Sequence, residues 1–211
     1  MNICIFKIFG GHKTNQGQFP FAALVGVSKT RRGDSKTENY TAWVCGGTLI
    51  NLWYVVTAAH CHQEREGRRI TRVRLGEWYI GGDDSLVQDF AILSQDITIH
   101  ERYKHSTYQQ YSLTTVHNDI ALVRLPTMAQ LNRQVGVACL PLSESQVARE
   151  LGVRNLGPGL VGEAITTVGW GYTGYQEDSL VFCKDGGFRG SRKQKTLEVG
   201  HTFVTCKINR V

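Results

Sequence analysis

Two short segments carry the residue types that could do chemistry. In Val55-Val56-Thr57-Ala58-Ala59-His60-Cys61, a histidine stands at the end of a β-branched, apolar run, beside a cysteine. In His117-Asn118-Asp119-Ile120-Ala121-Leu122, an acidic residue enters another apolar run. Histidine changes charge near neutral pH, with an unperturbed pKa of about 6.5, so one imidazole can both accept and deliver a proton during a reaction. A buried carboxylate on the second ring nitrogen fixes the tautomer and stabilises the imidazolium. A serine hydroxyl alone is a poor nucleophile, and such a base makes it a usable one.

Neighbouring titratable residues read differently. His62 and His117 are expected to be solvated. His100, His105 and His201 have no ligand-like spacing, and no cysteine pair has the CxxC spacing of a zinc site, so no metal is expected from them. Glu77 with Asp83 and Asp84 suggests a calcium loop, but the acidic positions are few and Gly81-Gly82 reads equally as a turn. No metal and no cofactor is assigned.

These residues must be held by strands. The apolar segments are short and separated by turn residues, an all-β pattern rather than alternating strands and helices. Expected strands are Leu24–Val27, Gly47–Ile50, Tyr54–Ala58, Thr71–Leu75, Ile97–His100, Ile120–Leu125 and Ile165–Gly169. The polar runs Lys29–Glu38 and Ser106–Thr115 are expected to be surface loops, and Ser145–Leu151 is the one candidate helix.

Landmarks along the chain extend the two chemical segments. Ile8-Phe9-Gly10-Gly11 follows Lys7, and then come Gln18-Phe19-Pro20-Phe21 and Cys45-Gly46-Gly47-Thr48-Leu49-Ile50. Arg74-Leu75-Gly76-Glu77-Trp78, Ala138-Cys139-Leu140-Pro141 and Val168-Gly169-Trp170-Gly171 complete the series. With the His60 and Asp119 segments, this order resembles the trypsin/chymotrypsin-like serine endopeptidases. The Leu-Gly-Glu-Trp and Cys-Leu-Pro pieces are most similar to the arthropod clip-domain branch.

The resemblance implies a chymotrypsin-like double β-barrel, with a first barrel of about 18–125 that is complete and a second of about 126–211 that is truncated. It implies that His60 is the general base and Asp119 its orienter, and that Cys45 and Cys61 form a short disulfide beside them. It also implies that residues 1–7 are the remainder of a pro-segment, and that cleavage between Lys7 and Ile8 frees a hydrophobic amino terminus. Phe9 departs from the valine more common in the family. The implied partners are protein or peptide substrates, an activating protease, and an inhibitor or upstream regulatory domain.

The third catalytic member does not follow. No Gly-Asp-Ser-Gly-Gly segment occurs in the 211 residues. Asp185-Gly186-Gly187 lacks the serine, and Ser191 in Gly190-Ser191-Arg192-Lys193 lacks the glycines whose backbone N–H groups would form the oxyanion hole. Tyr175–Ser191 has no counterpart in the family and reads as an unplaced insert. The chain as written is therefore expected to be inactive, whereas the full-length gene product is expected to be a serine endopeptidase. The alternative is a non-catalytic serine protease homologue that acts as a binding or regulatory protein.

Composition narrows the setting. Hydrophobic residues make up 41% and charged residues 20%, ordinary values for a globular protein. The net charge of +6 suggests a polyanion partner, but its distribution argues against nucleic acid. Residues 184–211 hold seven Lys/Arg against two Asp/Glu, while residues 1–183 hold 17 against 16, so the excess sits in a tail read as solvated. Within the body, Arg65, Arg68, Arg69, Arg72 and Arg74 are read as a surface loop and strand face. Six cysteines and the sequon Asn39-Tyr40-Thr41 agree with a secreted protein, glycosylated at Asn39. Met1–Lys7 is too short for a signal peptide, so secretion requires preceding sequence, and no apolar run reaches membrane-spanning length.

Overall fold

The computed structural model describes residues 12–32, 37–63, 69–82, 84–108, 113–140, 164–170 and 198–203. The Lys7–Ile8 junction, the Ser145–Leu151 segment, Asp83, Asp185–Gly187, Ser191 and cysteines 4, 183 and 206 lie outside them. The chain divides into two compact units, one of Asn15–Ala138 and one of Met1–Thr14 with Cys139–Val211.

The first unit is built from β2 (Ala22–Arg32), β3 (Thr37–Asn51), β4 (Tyr54–Thr57), β5 (Ile70–Leu75), β6 (Gln88–Ala91), β7 (Ile97–Ile99), β8 (Lys104–Tyr108), β9 (Leu113–His117) and β10 (Ala121–Arg124). Seven of these strands form one sheet in the order β6-β5-β2-β3-β4-β10-β7, and every pairing is antiparallel. β8 and β9 pair as a separate hairpin. The edge strands β6 and β7 are joined by residues 92–96 alone. Even fully extended, that link reaches only about 20 Å. A flat seven-stranded sheet would set its edges about 29 Å apart. The sheet must therefore curl upon itself.

Alternation fixes which side turns inward. Val55 and Thr57 on β4, Val73 and Leu75 on β5, and Ala121 and Val123 on β10 are buried, while their neighbours are partly or fully exposed. Ala23, Val25, Val27, Leu49, Ile70 and Leu125 belong to the same core, each nearly inaccessible. Strand β2 bends at a register shift between Val25 and Gly26. A Cβ on Gly26 would lie 2.6 Å from Thr41 Cγ2 and 2.9 Å from the Trp43 ring. Glycine there is what lets Trp43 fold across the strand, where it receives the Arg74 guanidinium 4.9 Å from its ring centre.

The second unit contributes β1 (His12–Lys13), β11 (Ala164–Gly169) and β12 (Glu198–Phe203), in the order β1-β12-β11. Strand β11 covers the expected Ile165–Gly169.

Two expected loops are hairpins instead. Residues read as the loop Lys29–Glu38 extend β2 and β3, with Lys29 opposite Tyr40 and Thr30 opposite Asn39. Ser106–Thr115 falls largely on β8 and β9, with Ser106 opposite Thr115. Ladder hydrogen bonds come from the backbone, so polar strands can pair without any apolar alternation to announce them.

Candidate functional site

Histidine 60 sits in a single 3-10 turn, Ala59–Cys61, immediately after β4. The turn is closed by the Cys61 and His62 N–H groups, which donate to the Ala58 and Ala59 carbonyls at 3.1 and 3.0 Å. Ala59 and Cys61 are buried beneath it. Cys61 is joined to Cys45 of β3 by a disulfide, with Cα atoms 6.2 Å apart. Thr57 donates its hydroxyl to the Gly46 carbonyl at 2.8 Å, a second tie between β4 and β3 at the same end.

Aspartate 119 lies just before β10, which is the neighbour of β4 in the sheet. Ala121 stands opposite Thr57, Leu122 opposite Val56 and Val123 opposite Val55. That register carries the residue entering β10 to the turn leaving β4. Asp119 Oδ2 lies 2.6 Å from His60 Nδ1, and Asp119 Oδ1 accepts the His60 backbone N–H at 2.8 Å. Both carboxylate oxygens thus engage one residue, through its ring and through its backbone. The side chains keep 18% and 27% of their exposure, so the pair is sheltered yet open on one side. With Nδ1–H donating to the carboxylate, the free lone pair of the neutral ring is on Nε2, the arrangement a general base requires.

A metal reading of this corner fails on chemistry. The Cys45, His60 and Cys61 ligand atoms lie within 4.8 Å of one another. Both sulfurs are consumed by the disulfide, and zinc needs thiolates.

Glu77 and Asp84 are already engaged by donors of the protein itself. Glu77, with its side chain 2% exposed, accepts Arg74 Nη1 at 2.9 Å. Burial pushes its carboxyl above the usual range, while the Arg74 hydrogen bond and charge act in the opposite direction. Asp84 accepts the Leu86 N–H at 3.0 Å and the Gln16 and Gln134 amides at 2.7 Å each. The Leu86 hydrogen bond is the main reason its carboxyl lies below the ordinary value. A guanidinium and three N–H donors fill the places where a calcium ion would need lone pairs.

Other sequence candidates are spread out. His62 is buried, not solvated: its Nδ1 accepts the Ile70 N–H at 3.2 Å where β5 begins. His117 and His100 are exposed. Arg72 is exposed on β5, whereas Arg74 is held by Asp89 through Nε at 2.8 Å and Nη2 at 2.6 Å. Asn39 is exposed on β3 and accepts the Thr30 hydroxyl at 2.8 Å. Cys139 is exposed and has no disulfide partner among the described residues. Among the described residues no helix is long and apolar enough to cross a membrane.

Sequence reasoning missed Asn118. It is the only non-glycine residue with positive φ among those described, at 51°, and its side-chain amide donates to the Arg102 carbonyl at 2.9 Å. Asparagine at the border of a strand is the signal that could have marked it, because its side chain tolerates the left-handed conformation.

Known proteins resemble this chain in sequence and in fold. The family model described as trypsin matches residues 8–184. Phenoloxidase-activating factor 3 of Holotrichia diomphalia is 35% identical over 173 residues, which cover 80% of this chain and 43% of that protein. CLIP domain-containing serine protease B10 of Anopheles gambiae is 34% identical over 180 residues, 82% of this chain and 44% of that protein. The chain thus spans less than half the length of these relatives. A solved structure of GrC superposes with a TM-score of 0.60 at 22% identity, over 94% of this chain and 66% of that one, and shows the fold to be all-β and chymotrypsin-like.

Proposed function

Because the chain belongs to the trypsin family of serine proteases, we propose that its full-length product is a secreted, zymogen-type serine endopeptidase in which His60 is the general base and Asp119 its orienter. The observation that carries this reading is the pair itself, with Nδ1 of His60 2.6 Å from Asp119 Oδ2 and the second carboxylate oxygen fixing the His60 backbone. In this mechanism Nε2 accepts the proton of a serine hydroxyl as it attacks the scissile carbonyl, then delivers it to the leaving amine. Asp119 keeps the proton on Nδ1 during attack and balances the imidazolium that follows. The disulfide and the Thr57–Gly46 bond hold the turn, so the imidazole need not be ordered at the moment of reaction.

Cleavage after Lys7 would free Ile8 as the new amino terminus. The protease domain begins there, with a first barrel of about 18–125 and a second from about 126. An N-linked glycan at Asn39 suits its exposed place on β3 and a secreted protein. Protein substrates and an activating protease are proposed because the relatives include a phenoloxidase-activating factor and CLIP domain-containing proteases. Residues 1–211 alone are proposed to be inactive, since they contain no glycine-flanked serine of the expected form.

A non-catalytic homologue that binds or regulates is the second reading. The two separate on the full transcript. A glycine-flanked serine downstream, with peptide-ester turnover abolished by His60→Ala, supports the enzyme. A substituted residue in an otherwise intact serine segment supports the binding protein and overturns our first reading.

A further inference from the structure

We infer that Asn118 is the positioning residue for the His60–Asp119 pair, acting through a left-handed backbone that its own side chain locks; this rests on reading those two residues as base and orienter. Asp119 does not lie on a strand. It occupies the centre of a three-residue turn in which the Ile120 N–H donates to the Asn118 carbonyl at 2.8 Å. One residue earlier, Asn118 has φ of 51°, a region costly for any L-residue with an unhelpful side chain.

Two contacts hold that conformation. The Asn118 side-chain amide donates to the Arg102 carbonyl at 2.9 Å, tethering the turn to the segment before β8. On the other side, the His100 N–H donates to the Ile120 carbonyl at 3.1 Å. The chain therefore leaves β9 at His117, passes through Asn118 in the left-handed conformation, and joins the seven-stranded sheet at Ala121 opposite Thr57. An extended residue at 118 would keep the path of β9 and carry the Asp119 carboxylate away from the two His60 atoms it now touches. Because Asp119 holds both the ring Nδ1 and the backbone N–H of His60, a small displacement would loosen both contacts together.

The readout is the tautomer of His60, which a merely stabilising residue would leave unchanged in folded protein. The 211-residue chain is labelled with nitrogen-15 histidine, and long-range nitrogen–proton spectra are recorded at about pH 9, well above the unperturbed histidine value. Wild type is expected to hold the proton on Nδ1. Asn118→Ala is expected to lose the Nδ1–H form as the major species, because its carboxylate partner is withdrawn. Asn118→Gly reaches positive φ freely and is expected to keep the Nδ1–H form, with faster exchange of that proton because the Arg102 tether is gone.

Retention of the Nδ1–H form in folded Asn118→Ala would overturn the inference. If that variant does not fold, loss of the Nδ1–H form in Asn118→Gly would overturn it instead, since glycine supplies the backbone conformation. Absence of the Nδ1–H form in wild type would instead strike the reading of His60 and Asp119 itself.

Discussion

Ala121 stands opposite Thr57 across β10 and β4, and this one register brings Asp119, two residues before the pair, against His60, three residues after it. Two strands whose own side chains do no chemistry therefore decide whether an imidazole and a carboxylate from distant parts of the chain meet.

If His60 and Asp119 are base and orienter, each should be indispensable in the full-length enzyme. His60→Ala and Asp119→Asn are each expected to lower kcat by roughly 10⁴-fold or more, with KM for a peptide ester little changed. Asp119→Asn acts by favouring the wrong tautomer, so its loss should be nearly as deep although the side chain keeps its shape. A reduction of only a few fold in either variant would remove that residue from the mechanism.

The Cys45–Cys61 disulfide spans 16 positions and pins the turn that carries His60. Loop-closure arithmetic for such a span gives a stabilisation of about 3 kcal/mol. The paired variant Cys45→Ala with Cys61→Ala is expected to lower the urea midpoint under oxidising conditions. Unchanged unfolding in the double variant would show that the sheet alone holds this corner.

Asp84 should mark the acid side of the stability profile. Its folded pKa is lowered, chiefly by the Leu86 N–H, with the Gln134 and Gln16 amides assisting against the opposing effect of burial. A carboxyl depressed on folding contributes stability that is present above its unfolded pKa, about 3.9, and is lost as pH falls through the lower folded value. Asp84→Asn is therefore expected to be less stable than wild type at neutral pH. Its Tm should fall less steeply than that of wild type below about pH 4. Parallel Tm profiles from pH 5 to 2 would contradict this.

Arg74 is expected to do for the Glu77 loop what a bound cation would. Calcium should leave the Tm of wild type unchanged, whereas Arg74→Met should destabilise the protein through the uncompensated Glu77. Breaking a buried pair by removing one partner costs about 3–5 kcal/mol. The Asp89 arm, 38% exposed, should add little. Burial already raises the Glu77 carboxyl, so in Arg74→Met the penalty should grow as pH rises from 4 to 8. A rise in wild-type Tm on adding calcium would show that the loop accepts the ion despite Arg74.

Much of this molecule is legible before any coordinates. The apolar alternation around Val55, Val73 and Val123 is a local record of burial, and it marks β4, β5 and β10 to within a residue or two. The His60 and Asp119 segments are legible because their chemistry restricts residue type and neighbours. Local pattern does not show which strand lies beside which. Only the sheet order sets β10 against β4, and only that contact joins Asp119 to His60. The polar β2–β3 extension and the β8–β9 hairpin were invisible because backbone ladders carry no side-chain signature. His62 became a buried acceptor of the Ile70 N–H, and Arg74 a partner of Asp89 as well as of its near neighbour Glu77, because folding brings β5 beside the His62 turn and beside β6. Composition and periodicity determine what a segment can bury. Which donor meets which acceptor is decided when the chain closes, because hydrogen bonds and ion pairs act over a few ångströms in space, not along the sequence.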